Sequence, residues 1–186
     1  MVPCALSPVK PKTFKAKDGR EVVLRSIRWE DLDDCIEFIN SLVEEGADIL
    51  RDTMVTREEE ADWLGKRLAL VEKGELIDVV AEVDGRIIAN SEVERRSGFM
   101  SHVGYLGIGI KAGYRGIGIG TEIMQTLKEE SKKAGLKILV LDAFATNKKA
   151  QALYRKAGFK EIGRIPKAIY KNGRYIDMVR MTLELK

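Results

Sequence analysis

Cysteine is nearly absent from this 186-residue chain. Cys4 and Cys35 are too few for a disulfide framework and sit in no metal-ligand spacing. A reducing, cytoplasmic setting is the simpler expectation. Long apolar runs are also missing: nothing approaches the roughly 18 residues of a membrane-spanning helix. Lys10 follows rather than precedes the apolar residues of Met1–Pro11, the wrong order for a secretory leader. Neither charge sign dominates, since 32 Lys and Arg stand against 29 Asp and Glu, net +3. That balance gives no ground for a nucleic-acid partner, and none is expected, nor a membrane. Of the four prolines, Pro3, Pro8 and Pro11 crowd the start. Residues 1–12 are therefore read as a loose lead to a single domain over 13–186, a length at which about 70% of the unfolded surface can be buried. Repeats and low-complexity tracts are lacking.

What is present is punctuation. Asp18-Gly19, Asp84-Gly85 and Asn172-Gly173 each tolerate positive φ, as tight hairpin turns require. They separate Lys12–Lys17 from Glu21–Ile27, Val79–Val83 from Arg86–Arg96, and Ala168–Lys171 from Arg174–Leu183. Four helices are legible. Glu30–Val43 has Leu32, Cys35, Ile36, Ile39 and Leu42 on one face. Thr56–Lys73 opens with the Thr56/Glu59 capping-box spacing and stops at Gly74. Gly118–Ala134 turns Ile119, Ile123 and Leu127 inward. Asn147–Ala157 turns Ala150, Leu153, Tyr154 and Ala157 inward. Between the last two lies the apolar run 137–142, which suits a strand buried on both faces. The fold class is α/β, in the sense of a mixed α+β sheet with helices on both sides.

One segment carries chemistry. After an apolar strand ending near Ile110, Arg115, Gly116, Gly118 and Gly120 lead straight into a helix. Glycines let a ligand approach the backbone. The unpaired N–H groups of a helix's first turn make an anion site, and Arg115 adds a fixed positive charge. The plainer alternative is a glycine-rich turn that packs a helix closely on a strand. A P-loop is set aside because Gly120 is followed by Thr121 and Glu122 rather than Lys and Ser/Thr. A dinucleotide fold has a candidate ribose ligand in Asp142, but Lys111–Arg115 separates strand from glycines, and too little chain remains for further parallel units.

The segment resembles the cofactor motif Arg/Gln-x-x-Gly-x-Gly/Ala of the GNAT superfamily of N-acetyltransferases. A second motif of that family is matched by Asn147, Ala150, Leu153, Tyr154, Gly158 and Phe159. The resemblance spans roughly residues 21–184 and is sharpest over 102–160. His102-Val103, Gly107-Ile108 and the stretch 172–178 look like the branch that acetylates free amino acids and similar small amines. Ribosomal-protein N-terminal acetyltransferases are near neighbours. Ala112 departs from the proline usual there.

The resemblance implies a mostly antiparallel sheet in which two parallel strands, Val103–Ile110 and Ile138–Asp142, splay apart to admit the pantetheine arm of acetyl-CoA. Gly107 and Gly109 would mark a bulge that opens the gap. Cofactor contacts would come from Ile108, Gly109 and Ile110, then from Arg115, Gly116, Ile117, Gly118, Ile119, Gly120 and Thr121, and from Asn147 and Tyr154. Tyr154 would protonate the departing thiolate, although its place on an apolar helix face equally suits a core tyrosine. Asn147 is also read as a helix N-cap. For the base, Glu92 and Glu94 share a strand face with Ile88 and Asn90, opposite Ile87, Ala89, Ser91 and Val93. That face is either an amine-binding wall or simply solvated. Asp142 falls where ribosomal-protein acetyltransferases carry an acidic base. His102 has a suitable intrinsic pKa but stands at a strand's start, as a surface residue would. Direct transfer from acetyl-CoA to a primary amine, without a metal, is the expected reaction. The acceptor is a free amino acid or similar small amine, or else a peptide N-terminus. A non-catalytic acyl-CoA-binding module and a nucleotide-binding oxidoreductase are the rivals. A homodimer through the C-terminal hairpin is expected, because sheet edges need cover.

Overall fold

The computed structural model describes residues 9–186, so Cys4 and most of the expected lead lie outside the described residues. Residues 9–12 already belong to the fold, contrary to that expectation. Val9 is buried and donates its N–H to Ser26 Oγ at 2.8 Å, and Lys12 opens the first strand.

The elements run β1 (Lys12–Lys15), β2 (Glu21–Arg25), α1 (Leu32–Glu44), α2 (Arg57–Glu72), β3 (Leu76–Val83), β4 (Arg86–Arg95), β5 (Val103–Ile110), α3 (Ile119–Lys133), β6 (Ile138–Phe144), α4 (Lys148–Lys156), β7 (Lys160–Lys171) and β8 (Arg174–Glu184). One eight-stranded sheet has the order β1-β2-β3-β4-β5-β6-β8-β7. Among the described residues, only β5 and β6 pair in parallel. Helices cover both faces. Ile119, Ile123, Met124 and Leu127 of α3 pack with Val79, Ala81, Val93 and Leu139 on one face, joined by Tyr154 of α4. Leu32, Cys35, Phe38, Leu42 and Leu64 of α1 and α2 pack with Val80 and Ile87 on the other. Among the described residues no helix is long and apolar enough to cross a membrane.

Local chemistry explains most boundaries. Asp84 and Gly85, then Asn172 and Gly173, all have positive φ, as two-residue hairpin turns require. The first hairpin differs: only Gly19 has positive φ, and the wider loop closes through Ala16 N–H to Arg20 O. The Thr56/Glu59 capping box forms in both directions. β7 starts at Lys160 rather than Ala168. Bulges beside Glu161 and between Ile165 and Ile169, where Pro166 lies, break the alternation that would have revealed it. On α4, Tyr154 and Gln151 are the buried residues. Ala150, Leu153 and Ala157 are only half-buried.

Two expectations about strand faces are corrected. The β3–β4 register shifts between Ala81 and Glu82, and a bulge moves the following side chains to the other face. Ile88 therefore packs with Ala89 and Val93, and Ile87 with the α1 side. Gly107 and Gly109 mark no bulge, since β4 and β5 stay in register from Arg95↔Gly104 to Ala89↔Ile110.

The sheet nevertheless splits. The parallel pair holds only at Val103↔Ile138, Gly104↔Leu139 and Tyr105↔Val140, and beyond them β5 and β6 part. Gly104 sits in the last tight stretch: a Cβ there would collide with Val93 and lie 2.9 Å from Leu136 Cδ1. Gly104→Ala should therefore cost about 1–3 kcal/mol through overpacking, read as a lower urea midpoint. An unchanged midpoint would show that this layer has slack.

Candidate active site

The mouth of the split opens at the carboxyl ends of β5 and β6, where α3 and α4 begin. The turn into α3 places Gly113, Gly116 and Gly118 at φ of 80, 80 and 100°. A Cβ at Gly113 or Gly116 would meet only open space, so backbone conformation is what requires glycine at both. The backbone N–H groups of Arg115 through Gly120 donate to no acceptor among the described residues. Six successive free donors at the start of a 15-residue helix form a cradle for an anion. Thr121 lies outside this set, contrary to expectation, because its N–H is bonded to Gly118 O at 2.9 Å. Gly120 also serves the plainer purpose: a Cβ would stand 3.0 Å from Leu153 and 3.2 Å from Ile110, so its absence lets α3, α4 and β5 converge.

Arg115 is spent partly on the protein itself. Its Nε donates to Ile110 O at 2.6 Å and its guanidinium pairs with Glu45 at the end of α1. The sequence did not expose a second cation beside the cradle. Lys17 donates its N–H to Ile117 O at 2.9 Å, and its aliphatic stem passes 3.8 Å from where a Gly118 Cβ would be. Arg20 stacks over Tyr114 and donates to Gly113 O. The β1–β2 hairpin thus walls the cradle from a distance of about 100 residues in sequence, which no local motif could signal.

On the α1/α2 face a transverse row crosses the split. Glu92 stands opposite Gly107, and a Cβ at 107 would be 2.6 Å from its Oε1. Gly107 is small to make room for that carboxylate, and Gly109 to make room for Leu42 and Phe38 of α1. Across the gap, Asp142 accepts from the Tyr105 hydroxyl and from Arg180 Nε and Nη2 at 2.9 and 2.8 Å. The Arg180 guanidinium, helped by Tyr105, holds the Asp142 carboxyl below its usual range. Glu92 pairs in turn with Arg67 of α2, which also pairs with buried Asp78 and donates to Asn90 Oδ1 at 3.1 Å. Burial pushes the Asp78 carboxyl up while Arg67 pulls it back.

Of the remaining candidates, Asn147 caps α4, its side chain accepting from Ala150 N–H at 3.0 Å. Tyr154 is 7% exposed, and burial alone pushes its hydroxyl up to about 12. Ile108 and Ile110 lie half-buried on the unpaired stretch of β5. Glu94 is exposed opposite Tyr105. His102 is exposed at the amino end of β5, away from the mouth, its carbonyl holding Lys137 and Ile138. Cys35 is buried, its thiol pushed up to about 12, so it offers no nucleophile.

A split parallel pair with an anion cradle at one end defines a cleft for a long, phosphate-bearing ligand. The model of the acetyltransferase (GNAT) family matches residues 37–159, and the chain belongs to that family. It is similar to the L-methionine sulfoximine/L-methionine sulfone acetyltransferase of Pseudomonas aeruginosa, 26% identical over 168 residues that cover 87% of this chain and 94% of the relative. Among solved structures it resembles a ribosomal-protein-alanine N-acetyltransferase from Brucella melitensis, with TM-score 0.77, 27% identity, and coverage of 87% of this chain and 99% of that one. A phosphinothricin acetyltransferase from Sinorhizobium meliloti, in complex with AcCoA, shares the fold at TM-score 0.78, 21% identity and 88% coverage of both chains.

The Asp142–Arg180 pair has a pH signature. Because the folded carboxyl titrates below an unfolded aspartate at about 3.9, its stabilisation is complete above that value and lost as pH falls through the lowered one. The Tm gap between wild type and Asp142→Asn should be steady from about pH 7 to 5 and close below about pH 4. A gap unchanged at about pH 3 would refute the pairing.

Proposed function

We propose that the protein transfers an acetyl group from acetyl-CoA to the amine of a free amino acid or similar small amine, both held together in one complex. The observation that carries this reading is the run of free N–H groups from Arg115 to Gly120 at one end of a split whose α1/α2 face bears Glu92. The cradle suits a pyrophosphate by charge and hydrogen bonding, with Gly116, Ile117, Gly118 and Ile119 donating and Lys17 alongside. The unpaired edge of β5 from Leu106 to Ile110, including Ile108 and Gly109, offers backbone partners to an amide-bearing arm. Asn147, besides capping α4, stands at the same mouth. Acetyl-CoA bound there supplies the acetyl thioester.

The chain's own groups then divide the proton work. Glu92, paired on one side with Arg67, turns a part-exposed carboxylate toward the split, where it can attract an ammonium group. Glu92, 36% exposed, takes the proton the amine must lose before its lone pair can attack. Tyr154, protonated at neutral pH and buried, gives its proton to the sulfur as the carbon–sulfur bond breaks. Asp142, held as a carboxylate, is a poor proton acceptor and acts instead by orienting Tyr105 and Arg180. The similarity to a methionine sulfoximine/sulfone acetyltransferase favours a small amino-acid acceptor. The similarity to a ribosomal-protein-alanine enzyme makes a peptide N-terminus the alternative. A homodimer through the exposed edge strand β7, with Ile162 and Ile165 outward, completes the proposal; sedimentation near 20.8 kDa would count against it.

Acetyl-CoA at 100 times its Kd should stabilise the fold by about 2.7 kcal/mol, seen as a raised Tm, and NAD should not. Gly118→Asp should abolish the shift. The reverse ligand preference would sink the assignment.

Tyr154→Phe separates packing from chemistry. The hydroxyl is bonded to no described residue, so stability and acetyl-CoA affinity should stay near wild type while kcat falls roughly 10²-fold or more. With chemistry rate-limiting, an unchanged kcat would remove Tyr154 from catalysis.

A further inference from the structure

We propose that Arg180 binds the carboxylate of the acceptor, so that the enzyme grips an α-amino acid at both charged ends. The inference rests on the amino-acid reading above and names a residue that it leaves unassigned.

Three placements carry it. First, Glu92, Gly107, Asp142 and Arg180 stand level across four adjacent strands. Glu92 faces Gly107 in the β4–β5 register, and Asp142 faces Arg180 between β6 and β8. Gly107 and Asp142 each lie two residues past the last parallel pair, Tyr105↔Val140. Second, the groups share one face. Glu92 occupies the space above Gly107, and Tyr105, on the same side of β5, reaches Asp142. Third, both long side chains lean inward, Glu92 over β5 and Arg180 over β6, so they approach the split from opposite sides.

Three inter-strand spacings put the Glu92 and Arg180 backbones at least about 14 Å apart. Both side chains lean inward, so their charged ends stand closer together than the backbones do. Arg180 is also prepared for the task. It uses Nε and Nη2 on Asp142, leaving Nη1 without a partner among the described residues, and its side chain is 42% exposed. A guanidinium oriented by one carboxylate can offer its remaining N–H groups to a second. Across the sheet the order is Glu92, the split with the Tyr105 side chain reaching over it, Asp142 and then Arg180. An ammonium settles toward Glu92 and a carboxylate toward Arg180, which places the amine at the β5 side of the split.

The test pairs each acid with the same molecule lacking the charge. Full-length enzyme is assayed with L-methionine sulfone and its carboxamide, and with the common L-amino acids and their carboxamides, using acetyl-CoA. Wild type should favour acids over amides. Arg180→Met should lower kcat/KM for the acids by about 10²-fold, mainly through KM, as expected for a lost hydrogen bond to a charged group, and should leave the amides within about twofold. Arg180→Lys should recover part of the loss. Because Arg180→Met strands Asp142, the double variant Asp142→Asn, Arg180→Met is run beside it and should show the same acid-selective loss. Equal losses for acids and amides, or no wild-type preference between them, would overturn the role of Arg180 while leaving the amino-acid acceptor standing. Turnover confined to polyamines or peptide N-termini would overturn both.

Discussion

Everything the site does depends on one interruption, the loss of pairing between β5 and β6 after Tyr105 and Val140. A gap in the middle of a sheet exposes backbone N–H and C=O groups on both edges, and such groups are costly to leave without partners. It persists because each strand is held along its other edge, β5 by β4 up to Ile110 and β6 by β8 up to Phe144. Neither strand needs its parallel neighbour for register. Arg115 covers one exposed carbonyl, that of Ile110. The others face the cleft, and an extended ligand with amide groups can satisfy them as a strand would.

The same interruption sorts the chemistry by face. Residues 104, 106, 108 and 110 of β5 look toward α3 and α4, and residues 105, 107 and 109 toward α1 and α2. Buried Tyr154 packs on the first of these faces, and the charged row of Glu92, Asp142 and Arg180 lies on the other. Tyr154 and Glu92 are thus kept apart by the thickness of the sheet.

Much of this was legible in the sequence, and the remainder failed for identifiable reasons. Helix limits were readable where capping chemistry fixed them, as at Thr56 and Asn147, and hairpins where two residues shared positive φ. The glycine-rich entry to α3 was readable because its conformation is locally encoded. Bulges were not, since a single extra residue opposite Ala81 reverses face assignments without any compositional mark. Nor were partnerships between distant strands. Periodicity gives the face of Glu92 or Asp142 but not the order β5-β6-β8 that sets Arg180 beside Asp142. One unused signal was available: Glu60, Leu64 and Arg67 share the inward stripe of α2, and Asp78 interrupts an apolar strand. Charges at core positions imply a partner, and here Arg67 and Asp78 find each other.

The connection between α1 and α2 ties the two walls of the split together. Glu45 pairs with Arg115 at the cradle, and three residues later Asp48 accepts from Lys171 on the C-terminal hairpin at 3.0 Å. Lys171 also donates to the carbonyls of Gly46 and Ala47, both at 2.7 Å, and its ammonium stands over the Phe144 ring. Single surface ion pairs contribute little, but Lys171 uses all three of its donors on one short segment, which fixes that segment's path rather than merely attracting it. The consequence follows from the topology. β5 with its α3 loop and β6 with its β8 partner are the two halves of a sheet that has stopped pairing with itself, and this segment is a covalent chain anchored to each half. It limits how far the halves can part.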